Sequence, residues 1–181
     1  MSRNEILNNF FRNEIFDLDD DEVLYFLRVF SENEIFYSLK NNLKIDSSLE
    51  CSIFEISWKL GRILGSCGQI GIDNYIIQEI MISTDNFKLS YFNFLAGYWD
   101  EVNPDFNIFI DFLGFIVESL ADELWSNELS ILSIEPIAIV YVKNKEKLNV
   151  NPYILDKIRV LKNYVDRFEL DSPAKSLLSK M

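Results

Sequence analysis

Pro104-Asp-Phe-Asn-Ile-Phe-Ile-Asp-Phe-Leu-Gly-Phe-Ile-Val-Glu-Ser-Leu-Ala-Asp-Glu-Leu-Trp125 is the stretch on which the fold turns. Phe106, Phe109, Ile110, Leu113, Ile116, Val117, Leu120 and Leu124 recur at helical spacing along one side. Ile108, Phe112 and Phe115 occupy another side, leaving a polar strip of Asp111, Gly114, Glu118 and Asp122. A helix apolar on most faces is normally surrounded by others, so this segment is expected to be the hub of an all-α domain.

Signals on both sides of it agree. Ser2-x-x-Glu5, Ser31-x-x-Glu34 and Ser47-x-x-Glu50 match the capping box, in which Ser and Glu satisfy the free amides of a helix start. Asn103-Pro104, Asn151-Pro152 and Ser172-Pro173 place an N-cap before a proline at the first helical position. Apolar stripes recur at Ile6–Ile15, Val23–Phe30, Ile35–Leu43, Leu49–Leu64 (closed by Gly65), Tyr75–Ile80, Phe87–Tyr98 and Ile154–Phe168. Ile137-Ala-Ile-Val-Tyr-Val142 is β-branched, but a lone strand has no partner here. It is read as helix, with a short strand near residues 136–142 as the alternative. The expectation is a single compact multi-helix domain over residues 1–181.

The chain has 181 residues, 17 basic and 29 acidic, a net charge of −12, and no histidine. The sign argues against phosphate contacts with nucleic acid and against an anionic membrane surface. Lack of histidine excludes Ser-His and Cys-His nucleophiles and every His-ligated metal centre. The longest uncharged run, Leu89–Trp99, is too short to span a bilayer. Two cysteines, Cys51 and Cys67, make neither a disulfide scaffold nor a four-cysteine zinc site. A cytoplasmic protein with reduced thiols, no cofactor and no metal is expected. Charge is uneven: residues 1–60 carry −6, residues 61–130 carry −9 and residues 131–181 carry +3. An electrostatic partner should therefore meet the first two thirds.

Few side-chain groupings suggest chemistry. The glycines between Gly61 and Gly71 lack the Gly-Lys-Ser/Thr ending of a phosphate loop and follow a helix, not a strand. Cys67 is a nucleophile only if a nearby cation lowers its pKa. Asp111, Glu118 and Asp122 share a helix face and could hold a hard cation or divide acid and base roles, but they also suit a solvated edge. The most suggestive stretch is Tyr91–Glu101. Tyr98 and Trp99 fall at a predicted helix end before Asp100, Glu101 and Asp105, and aromatic anchors ringed by carboxylates suit a hot spot for a basic protein; the alternative is an ordinary buried Tyr-Trp pair beside a solvated turn. If so, Trp99→Ala and Asp100→Lys should weaken a complex without unfolding the chain. The acidic turn Asp17, Asp19, Asp20, Asp21 and Glu22 is the second choice; it lacks the glycine and ligand alternation of a calcium loop.

In overall character the chain resembles the immunity proteins of bacterial contact-dependent toxin systems: it is small, acidic, rich in residues with AT-rich codons, and without catalytic motifs. No residue motif carries the resemblance, so no site is transferred by it. It implies a non-catalytic bacterial protein that binds and neutralises a cognate toxin domain, often a nuclease with a basic active site. Two alternatives use the same composition. One is a phage-type acidic inhibitor or DNA mimic acting on a host defence protein. The other is a carboxylate-dependent hydrolase.

Overall fold

Ten α-helices and no strand occur among the described residues of the computed structural model, which are 1–43, 52–68, 71–167, 176 and 179. The fold is all-α. The chain divides into two compact units, Met1–Val102 and Asn103–Met181.

The first unit opens with α1 (Arg3–Asn9), started by the expected Ser2/Glu5 capping box. The helix then widens into a π-helical turn, Phe10–Glu14, and tightens into a 3₁₀ turn, Ile15–Asp17. Next come α2 (Asp20–Leu27) and α3 (Glu32–Leu43), whose Ser31 and Glu34 bond reciprocally as their spacing suggests. Leu7, Phe10, Phe11, Ile15, Leu27 and Leu39 are buried in this half. The Phe10 and Phe26 rings stack at 3.9 Å, a contact of about 1 kcal/mol beyond burial alone. Between α3 and α5 the Lys40 ammonium donates to the buried Glu79 carboxylate at 2.7 Å.

Three further helices complete the unit: α4 (Ser52–Ser66), α5 (Ile72–Ile82) and α6 (Asp85–Glu101). The most extensive contact among the described residues joins α4 to α6. Glycine makes it possible. A Cβ on Gly61 would stand 2.1 Å from the Phe94 carbonyl oxygen, and one on Gly97 would stand 2.1 Å from that of Trp58. Gly65 meets Tyr98 and Glu101 one turn beyond the place where Gly61 meets Phe94 and Tyr98, so the two helices run in the same direction. Gly65 therefore does not close α4, as the periodicity suggested; α4 continues to Ser66. The turn falls to Gly68 and Gly71, whose φ values of 70° and 86° suit residues without a Cβ. In α6 every residue from Tyr91 to Trp99 is buried, including the polar Asn93.

The second unit holds α7 (Phe106–Ala121), α8 (Asn127–Lys143), the short α9 (Lys145–Leu148) and α10 (Pro152–Asp166). α7 buries Phe109, Phe112, Leu113, Ile116, Val117 and Leu120, while Asp111 and Glu118 are exposed. It packs against α10 and α8. A Cβ on Gly114 would meet only the Tyr153 hydroxyl, at 3.2 Å. α7 starts two residues after Pro104, because the Asp105 carboxylate accepts from Asn107 N at 2.8 Å and acts as N-cap. At α10 the expected cap is present: Asn151 Oδ1 accepts from Tyr153 N at 3.0 Å and Pro152 follows it. Residues 137–142 are helical, inside an α8 that is capped by Ser126 and carries Pro136 within it. The expected starts at Ser47 and Ser172-Pro173 lie outside the described residues. None of the described helices is long and apolar enough to cross a membrane.

Candidate functional site

The first-choice aromatic anchors are core residues. Tyr98 is 3% exposed and Trp99 0%. The Trp99 indole Nε1 donates to Asp73 Oδ2 at 3.2 Å, an interior bond to a carboxylate that is itself buried. Burial pushes the Tyr98 hydroxyl well above its ordinary pKa, and the neighbouring Asp73 charge adds to the shift. α6 ends at Glu101, and of the two readings of Tyr98 and Trp99 the structure shows the buried pair. Residues at the end of a helix wrapped by its neighbours stay buried through the last turn. The expected binding loss without unfolding for Trp99→Ala therefore does not stand.

The carboxylates beside them are at the surface and engaged. Arg62 Nε donates to Glu101 Oε1 at 2.5 Å and lies 3.8 Å from Asp100 Oδ2. Asp105 belongs to the second unit, where it caps α7. The five expected contact residues thus form two buried aromatics, one ion-paired couple and a helix cap.

The second-choice turn is arranged differently. Asp19 Oδ1 accepts from Glu22 N at 2.9 Å, and Glu22 Oε2 accepts from Asp19 N at 3.1 Å, a capping box at the start of α2. Acidic groups here also face the positive end of the helix dipole, which lets several carboxylates crowd together. Asp20 Oδ1 accepts from Ser66 Oγ at 3.0 Å, tying the turn to the end of α4. Asp17 and Asp21 have no hydrogen-bond or ion-pair partner among the described residues, and all five side chains are exposed. One turn beyond Asp21, Tyr25 is 75% exposed, followed by an exposed Val29. A shallow cleft of about 610 Å³ beside them is lined by Leu18, Asp21, Glu22, Leu24, Tyr25, Phe26 and Arg28. An exposed aromatic among carboxylates is present, but on α2. The sequence contained the signal: on the helix surface Tyr25 falls opposite the stripe Val23, Leu24, Leu27, Phe30, whereas Phe26 sits at its edge.

The remaining candidates resolve as follows. Cys67 is buried, and its thiol donates to the Asp20 carbonyl at 3.5 Å. Burial, with Asp20 adding, pushes its pKa up to about 12, so it is not a thiolate near neutrality. Cys51 lies outside the described residues. Asp111, Glu118 and Asp122 are exposed on α7 and at its C-cap. Among the described residues no three His, Cys, Asp or Glu side chains are placed to hold a metal. Comparisons with protein-family models, with curated proteins and with solved structures gave no match to this chain.

Proposed function

We propose that this chain is a non-catalytic binding protein of the immunity type, which occludes the basic active-site surface of a toxin domain, such as a nuclease, with the turn Asp17–Glu22 and Tyr25. The observation that carries this reading is Tyr25 standing exposed among carboxylates, two of them without a partner among the described residues. A nuclease holds phosphate charge, so its cleft is basic. An acidic surface is steered towards it, and salt weakens the encounter. The aromatic ring supplies the desolvated anchor that charge alone lacks. Tight contact with the active-site entrance is sufficient for inhibition and needs no chemistry from the inhibitor.

The test is a pull-down from lysate of the source organism at low and high salt, with wild type and with an Asp21→Lys/Tyr25→Ala variant. One basic protein retained stoichiometrically by the wild type at low salt, and lost with the variant, supports the reading. Retention by both would move the interface away from α2. Several unrelated DNA-handling proteins, all displaced by added DNA, would replace this reading with nucleic-acid mimicry.

A further inference from the structure

Residues 1–102 contain eight lysines and arginines against a large excess of acids. Three of the eight, Arg12, Lys59 and Arg62, line a single cleft of about 680 Å³ in the first unit. Phe16, Ile56, Trp58 and Ile63 supply its apolar wall, and Glu101 is the one carboxylate among its described lining residues. One of the three cations, Arg62, neutralises Glu101 and Asp100; Arg12 and Lys59 have no carboxylate partner among the described residues. All three gather around an aromatic ring.

The cleft is built by local structure on both sides. On one side, the π-helical turn Phe10–Glu14 carries Arg12, whose Nε donates to Asn42 Oδ1 at 2.9 Å and holds the guanidinium in place. Single π turns inside α-helices are uncommon and are found often where a side chain must be re-aimed at a site. On the other side, α4 presents Trp58, Lys59 and Arg62 within little more than one turn. Arg62 lies over the Trp58 ring at 5.1 Å and is balanced by Glu101 and Asp100, which makes a cation–aromatic platform. Lys59 is exposed and has no hydrogen-bond or ion-pair partner among the described residues.

We infer that this cleft binds a small phosphate ester carrying a flat aromatic ring, the class to which mononucleotides belong. The volume lies within the range of about 300–1,000 Å³ usual for small-molecule sites. Arg62 is engaged by Glu101 and Asp100, which leaves Arg12 and Lys59 as two positive charges without an ion-pair partner among the described residues. That matches a phosphate monoester, with about −1.5 to −2 near pH 7, better than the single charge of a carboxylate. Arg12 and Lys59 take the phosphate, and the ring enters among Phe16, Ile56 and Trp58. This inference does not depend on the partner assigned to the α2 turn.

Calorimetric titration of the full chain with adenosine 5′-monophosphate tests it, with adenosine and inorganic phosphate as separate arms. The expected result is saturable binding of the nucleotide, at least tenfold tighter than either fragment. Lys59→Glu and Arg12→Gln should each weaken it at least tenfold, with the melting temperature of the unliganded chain unchanged for Lys59→Glu. Lack of saturable nucleotide binding would overturn the inference. So would equal affinity for inorganic phosphate, which would leave the aromatic wall without a role, or undiminished affinity in both variants.

Discussion

Gly97 in α6 approaches Trp58 in α4 so closely that a Cβ on Gly97 would lie 2.1 Å from the Trp58 carbonyl oxygen and 3.0 Å from its carbonyl carbon. Neither atom belongs to a side chain that could turn aside. Relief must come from moving a helix.

Gly97→Ala and Gly61→Ala should therefore each destabilise the chain by about 3 kcal/mol or more, the upper end of what overpacking costs. Alanine's better helix propensity offsets only about 1 kcal/mol of this. Gly114→Ala is the contrast, because its nearest neighbour is the tip of Tyr153 at 3.2 Å. Its effect should stay within about 1 kcal/mol. Urea midpoints of the three variants at constant m-value check the ranking.

Trp99→Phe should lower stability by about 1–3 kcal/mol, chiefly because the buried Asp73 loses the indole N–H that it accepts. Trp99→Ala adds a cavity and should cost about 3–5 kcal/mol. The measurement is thermal unfolding by circular dichroism. A neutral Trp99→Ala would contradict its burial.

Cys67 should resist alkylation. In a Cys51→Ser background, the native chain should react with iodoacetamide at pH 8 on the order of a thousandfold more slowly than the urea-unfolded chain, since its pKa lies near 12 instead of 9.0. Comparable rates would show that the thiol is open.

Glu34 links stability to acid. Its carboxylate accepts from Arg3 Nε at 2.7 Å and from Ser31 N at 2.8 Å. These bonds, Arg3 first and Ser31 next, lower its pKa from 4.5 to about 2. A carboxylate with a lowered folded-state pKa stabilises fully above its unfolded value and loses that contribution as pH falls through the folded one. Glu34→Gln should thus be less stable than wild type above about pH 5. The difference should shrink between pH 4.5 and 2, and melting temperatures across that window would measure it.

Local chemistry made most of the helical fold legible. Capping residues act within three or four positions, so Ser2/Glu5, Ser31/Glu34 and Asn151-Pro152 announce their helices without help from the rest of the chain. The box at Asp19/Glu22 has the same spacing, yet its acidity concealed it as a charged turn. Tertiary contact decided what was missed. Gly61, Gly65 and Gly97 resemble breakers or caps until two helices are brought together, and only then does the four-residue interval become a seam. The sequence leaves Tyr98 and Trp99 open between buried and exposed for a related reason. α6 is covered along Tyr91–Trp99 on successive faces, so it has no apolar stripe from which exposure could be inferred.

On the proposed reading, the glycine seam also bears on how the acidic turn would meet a partner. Ser66, the last residue of α4, holds Asp20 through its hydroxyl, and Cys67 holds the Asp20 carbonyl. The turn is thus joined to a helix whose backbone lies directly against that of α6, a packing that resists sliding. Asp20 has thereby lost much of its freedom before any encounter. A surface prepared in this way gives up little disorder on association, and improved complementarity appears as slower release. Loosening the seam by a substitution far from Tyr25 would thus shorten the lifetime of a complex without touching one contact in it.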